Sequence, residues 1–136
     1  MGDLAKNFSS WEFHCSCGCL TGTMSTKHIT LLQKLRDAAG PLKVTSGIRC
    51  KNHNAEVGGA KRSKHIPNKD GICVASDITY ATGTLSNRRI LKLYVLADQV
   101  GGFKGMGLFW PLSAWTTFGL AVLLVLVLEL LTIFWS

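Results

Sequence analysis

The run Leu112–Trp135 holds a single ionisable side chain, Glu129, and this divides the chain in two before any finer reading begins. Its residues are mostly Leu, Val, Phe, Ala and Thr. As one helix it would be about 36 Å long, enough to cross a hydrocarbon core of ~30 Å. Trp110, Trp115 and Trp135 stand near its ends, where indole rings suit the membrane–water interfaces. Glu129 would cost up to about 3 kcal/mol at the bilayer centre. It lies in the last third of the run, where its head can reach towards water, and the apolar residues at about −0.3 to −0.6 kcal/mol each outweigh it. The alternative is a buried core helix, but a domain of ~100 residues has little room to bury so long a rod that is apolar all round. The expectation is one compact domain over 1–109 and a single transmembrane segment over 110–136, contacting the lipid bilayer through 112–135.

All 15 Lys and Arg lie at or before Lys104, with 7 of the 8 acidic residues, so the compact part carries +8. Such a surplus favours an anionic partner, with nucleic acid, anionic lipid and bacterial cell-wall polymers as candidates; an ordinary solvated surface is the alternative. No alternation of aromatic and basic residues and no nucleic-acid motif supports the first of these, so no nucleic acid is expected. Met1–Phe8 is polar and has no apolar run behind a basic start, unlike a secretory leader. The positive charges precede the apolar run and none follows it, which predicts a cytoplasmic N-terminal domain. The five cysteines are an odd number, and without a leader reduced thiols or a bound metal are favoured over bridges.

Periodicity predicts an α+β domain, a small antiparallel sheet flanked by helices. Asn7–Phe13 reads as a short aromatic arm packed on the core. Ser25 or Thr26 caps a helix to about Ala39, with Ile29, Leu32 and Leu35 at helical spacing and Gly40-Pro41 as the stop. Leu42–Thr45 reads as a strand, Asn52–Val57 as a helical turn, and Ile72–Tyr80 as a strand by its β-branched and aromatic content. Ser86 caps a second long helix through Val100. Phe103–Phe109 is expected to be another strand, with Gly105 and Gly107 marking a close approach of backbone.

The chemistry concentrates in Ser46–Asp77. Ser63-Lys64-His65 is followed by a loop and then by a strand-like run that reaches Asp77. A histidine and an aspartate delivered from two ends of one loop suit a catalytic zinc, which takes three protein ligands and leaves a place for water. Ser46-Gly47-Ile48-Arg49-Cys50, His53-Asn54, Val57-Gly58-Gly59-Ala60, Ser63-Lys64-His65 and Ala75-Ser76-Asp77-Ile78 occur in this order. Together with Phe8-Ser9, Glu12-Phe13 and Cys15-Ser16-Cys17-Gly18-Cys19, these blocks resemble the zinc D-Ala-D-Ala carboxypeptidases and phage-type murein endopeptidases, of the hedgehog-like metallopeptidase fold. The resemblance covers about residues 7–109. It implies that His65 and Asp77 are zinc ligands, that Arg49 positions the substrate carbonyl or carboxylate, and that Ser63 orients the ligand loop or contacts substrate. It further implies a peptidoglycan stem peptide as substrate, hydrolysed by zinc-activated water. With the tail, the expectation is a membrane-anchored phage or bacterial protein whose domain faces the cytoplasm until lysis. A catalytically impaired, wall-binding derivative and a membrane-acting lysis protein are the other readings.

The chain departs from that family pattern twice. The pattern Ser-x-His-x-x-Gly-x-Ala-x-Asp places the aspartate seven residues after the histidine, whereas Asp77 follows His65 by twelve, with IPNKD as an apparent insertion before Gly71. The family also supplies a third ligand histidine and an acidic residue from a late strand, but no histidine follows His65 here. His53 is the substitute nearest in sequence, with His14 and His28 the other histidines and Cys73 the cysteine nearest Asp77. Cys15, Cys17 and Cys19 alternate, so an extended segment would point them to opposite faces. With Cys50 they form a candidate structural zinc site, or else remain buried thiols.

Overall fold

A computed structural model describes residues 2–108, which form one compact unit as far as Met106. The segment 110–136, predicted to cross a membrane, lies outside the described residues, among which no helix is long and apolar enough for a span.

Two helices frame the unit, and each begins where a serine satisfies the first turn. Ser25 accepts from the His28 amide at 3.5 Å and opens α1 (Thr26–Ala39), which ends at Gly40 with φ +89°. Ser86 accepts from the Arg89 amide at 3.4 Å and opens α3 (Asn87–Val100). These side-chain oxygens occupy amides that the helix itself leaves unpaired. Ile29, Leu32 and Leu35 recur on one face of α1 and are buried. Leu35 packs with Leu42 and Ala97, and Leu93, Leu96 and Val100 of α3 close over them.

A second cluster joins Phe8, Phe13, Met24, Ile29, Leu32, Ile48 and Cys73. Phe8 and Phe13 come from the N-terminal arm and are fully buried, with ring centroids 5.9 Å apart. The short 3₁₀ turn Ser10–Phe13 that presents Phe13 is closed by Glu12, which accepts from the Ser9 amide at 2.8 Å. Arg36 of α1 donates to the Leu42 carbonyl at 2.6 Å and lies over the Phe8 ring, so one side chain ties helix, strand and arm together. Ile78 and Phe103 touch both clusters and make them continuous.

Among the described residues the strands form two pairs rather than one antiparallel sheet. β1 (Thr23–Met24) runs parallel to β3 (Ile72–Cys73), and β2 (Leu42–Ser46) runs antiparallel to β4 (Asp77–Tyr80). The predicted strand Ile72–Tyr80 is therefore broken at Val74–Ser76, because its first part pairs with β1 and its second with β2. The predicted strand over Phe103–Phe109 is absent as far as Leu108. Its anchors, Phe103 and Met106, pack on the cores at a spacing of three, which a two-residue pleat does not provide. Among the described residues, a Cβ added at Gly105 or Gly107 would meet no atom within 4 Å, so no close approach of described backbone explains either glycine. Between β2 and β3 lies α2 (Lys51–Glu56), where a helical turn is expected from the sequence.

Candidate metal centre

The centre is assembled where β2 leaves its sheet. Ser46 is the register partner of Asp77, and an irregularity between Val44 and Ser46 bends the strand just before it. Residues 47–49 then run on between two other segments. The Ile48 amide donates to the Phe13 carbonyl at 2.8 Å, and the Arg49 amide donates to the His65 carbonyl at 2.8 Å. Gly47 is required by proximity rather than by its dihedral angles, because a Cβ there would lie 2.6 Å from the Cα of Phe13. The arm, the Ser46–Cys50 turn and the histidine loop are thus layered in that order.

His65 is held from two sides. Its amide donates to Oγ of Ser63 at 3.3 Å, and its Nδ1 lies 2.7 Å from the Gly47 carbonyl. A carbonyl only accepts, so Nδ1 carries a proton and Nε2 is the ring atom left to a metal. Nε2 faces Oδ1 of Asp77 at 3.6 Å, too long for a hydrogen bond between them. For Zn–N and Zn–O bonds of ~2.0–2.2 Å, tetrahedral ligands stand about 3.4 Å apart, close to the spacing found. The pair therefore fits two positions of a zinc site, with the Nδ1–carbonyl bond as the outer support that fixes the ring.

The twelve-residue separation does not prevent this meeting, because the extra residues fold on themselves. Oδ1 of Asn68 accepts from the amides of Asp70 at 2.9 Å and Ile72 at 3.0 Å, and the Gly71 amide returns to the Asn68 carbonyl at 3.0 Å. The result is a closed turn from which β3 departs.

Charges around the pair are graded. The His65 imidazole is the largest influence on Asp77 and holds its carboxyl below the ordinary value. Burial opposes this, while Arg49 and Ser46 add to the lowering. Arg49 is half-buried, and its Nε is enclosed without a hydrogen-bond partner among the described residues. A small cleft bounded by Glu12, His14, Ser46, Gly47 and Arg49 adjoins the centre, although neither His65 nor Asp77 lines it.

Among the described residues, no third His, Cys, Asp or Glu comes close enough to His65 and Asp77 to complete a set of three. His53, the substitute suggested by sequence proximity, lies elsewhere. Its Nε2 is 2.8 Å from Oγ of Ser16, and its Nδ1 is 3.5 Å from Glu56. Neighbouring Asn54 donates to the Ala60 carbonyl, so this segment secures the turn after Cys50. Cys73 is fully buried, with its thiol directed at the carbonyls of Lys64, His65 and Ala75.

The imidazole that sequence order does not single out is His28. Its Nε2 lies 2.9 Å from Oγ of Ser76, next to Asp77, and Phe103 packs edge-on against its ring. Burial, with a smaller contribution from the charge of His65, lowers its pKa. The helical position of His28 on α1, one residue before buried Ile29, was the available signal, but it reports only burial.

A second constellation gathers Cys15, Cys17, Cys19 and Cys50, whose sulfurs all lie within 4.8 Å of one another. The expectation of opposite faces fails because the segment is a turn. The Gly18 amide donates back to the Cys15 carbonyl at 3.0 Å, with Gly18 at φ +82°. Burial pushes the Cys15 thiol up, but the Cys50 amide and the neighbouring thiols outweigh it and hold the group at about 6.

No curated protein and no solved structure matches the chain. The model for Peptidase M15, a zinc-dependent family, matches residues 6–107 and so takes in the arm, both helices, the closed turn and the His65–Asp77 pair. The chain belongs to the Peptidase M15 family of metallopeptidases.

Proposed function

We propose that this zinc metallopeptidase hydrolyses the stem peptide of peptidoglycan next to D-amino acids, as a D-Ala-D-Ala carboxypeptidase or a related endopeptidase. The observation that carries this reading is the approach of His65 Nε2 to the Asp77 carboxylate, 3.6 Å apart, beside a guanidinium whose Nε finds no partner among the described residues. When bound, zinc supplies Lewis acidity towards a peptide carbonyl and acidifies water. His65 and Asp77 would hold the metal, with the Gly47 carbonyl orienting the imidazole through Nδ1. Arg49, anchored through its amide to the His65 carbonyl, is suited to a substrate carbonyl or terminal carboxylate. Ser63 orients the loop by accepting from the His65 amide. The surplus of +8 before residue 111 favours approach to an anionic wall.

The full-length chain, supplied with Zn²⁺, is to be incubated with a stem pentapeptide ending in D-Ala-D-Ala and with intact sacculi. Release of D-Ala or of cleaved muropeptides is expected. A chain that binds zinc at His65 and Asp77 yet leaves both substrates intact would refute the reading.

The lack of a third ligand among the described residues favours a second reading, a derivative that binds wall peptide without cleaving it. Co-sedimentation with sacculi in the absence of cleavage would select it. For either reading we propose that residues 112–135 anchor the chain in the bilayer with its domain on the cytoplasmic side until lysis. Protease added to intact spheroplasts should then spare the domain, and external cleavage would exclude this orientation.

A further inference from the structure

We infer that Cys15, Cys17, Cys19 and Cys50 form a closed four-thiolate zinc site, separate from the His65–Asp77 centre, that clamps the N-terminal arm to the turn bearing Arg49. The distances carry this assignment. Sulfur–sulfur separations are 3.3 Å for Cys15–Cys17, 3.0 Å for Cys17–Cys19 and 3.7 Å for Cys17–Cys50. With Zn–S bonds of ~2.3 Å, the edges of a tetrahedron are about 3.8 Å, and all four sulfurs lie within 4.8 Å of one another, close enough to converge on one ion. Disulfide pairing would join chosen partners, whereas Cys17 here approaches three sulfurs at similar distances.

The surroundings suit thiolates. The Cys50 amide points at Sγ of Cys15 at 3.4 Å, and the His53 amide points at Sγ of Cys50 at 3.3 Å. These donors form the outer shell that orients and stabilises metal-bound sulfur. Binding displaces the remaining thiol protons to solvent. Four protein ligands leave no open position, so the site is structural and not catalytic. Cys15 is buried and Cys17 is exposed, so an ion has a solvent-facing entry while the inner ligand is fixed in the fold.

The placement gives the site a purpose. Cys15, Cys17 and Cys19 follow Phe13 in the arm, and Cys50 follows Arg49 in the turn. The clamp therefore closes just beyond the Phe13–Ile48 and His65–Arg49 backbone bonds that layer the centre. Zinc in this site acts on Arg49 as a positioning device.

The test uses the full-length His65→Ala/Asp77→Ala variant, purified with reductant, stripped of metal and titrated with Co²⁺ and then Zn²⁺. The expected result is one Co²⁺ per chain with a thiolate-to-cobalt charge-transfer band and intense tetrahedral visible bands, both displaced by Zn²⁺. Cys17→Ser should weaken uptake by at least about tenfold. If the double variant fails to fold, the wild-type chain carries the same sulfur bands and is read instead. Removing the zinc should raise hydrogen exchange at the amides of Ile48 and Arg49. Absence of the sulfur–cobalt band in reduced, folded protein would overturn the site. Unchanged exchange at both amides would overturn its positioning role. Because the double variant lacks His65 and Asp77, the result is independent of the proposed peptidase activity.

Discussion

The amide of Arg49 donates to the carbonyl of His65 at 2.8 Å, so the cation proposed to meet substrate and the imidazole proposed to meet metal share one backbone bond. Displacing either residue displaces the other, and the consequences of mutation divide according to which part of this arrangement is touched.

Arg49→Ala should leave zinc bound at His65 and Asp77 while lowering kcat by about 10²–10³, the usual cost of removing one preorganised donor from a hydrolytic site. Arg49→Lys should recover little, because an ammonium does not reproduce the planar fork. Steady-state kinetics on a stem pentapeptide, alongside metal analysis, checks both expectations. Equal loss of metal and activity would mean that Arg49 acts only through the fold.

Gly47→Ala places a methyl 2.6 Å from the Phe13 backbone. Overpacking of this kind costs about 1–3 kcal/mol. Its effect should also exceed that of Gly58→Ala, where a Cβ meets no atom within 4 Å but the positive φ is itself unfavourable. Urea unfolding of the two variants provides the comparison.

His28 gives the metal-free protein a pH signature. Its folded pKa lies below the ordinary value of 6.5, so as pH falls the unfolded chain takes up the proton first. Stability should therefore be unaffected by His28 above about pH 6.5. It should fall as pH drops below that value and level off below the folded pKa. His28→Gln should flatten this part of the profile, as measured by urea midpoints across pH in chelator.

Asn68→Ala removes the acceptor shared by the amides of Asp70 and Ile72. A loss of about 1–2 kcal/mol is expected for these bonds. Zinc affinity at His65–Asp77 should decrease while the four-cysteine site is unaffected, a contrast readable by metal titration of each site.

The helices were the most legible part of the sequence, because Ser25 and Ser86 announce their starts, and Gly40 and Gly101 their ends, through local chemistry alone. Strand partners were not. Ile72 to Tyr80 has strand-forming residues throughout, but nothing local states that Cys73 pairs with Met24 while Ile78 pairs with Val44. The same limit governs the histidines. His53 is close to His65 in sequence but turns to Ser16, whereas His28 arrives beside Ser76 from a helix 48 residues earlier. Alternating cysteines imply opposite faces only on an extended chain, and the turn at Gly18 removes that condition. Local grammar reached the elements and the His65–Asp77 pair, but it did not reach contacts made by long-range packing.

The closed turn at Asn68 separates how far apart His65 and Asp77 are written from how far apart they stand. Its ends are tied to each other, so added residues enlarge a bay on the surface and leave the opening where Asp77 enters unchanged. A recognition rule with a fixed count between His65 and Asp77 would pass over this chain, whereas a rule specifying only the two flanking blocks tolerates any bay that closes on itself. The bay is also the natural place to graft an affinity handle or a fluorophore, because a passenger there would ride on the domain without moving His65 and Asp77 apart.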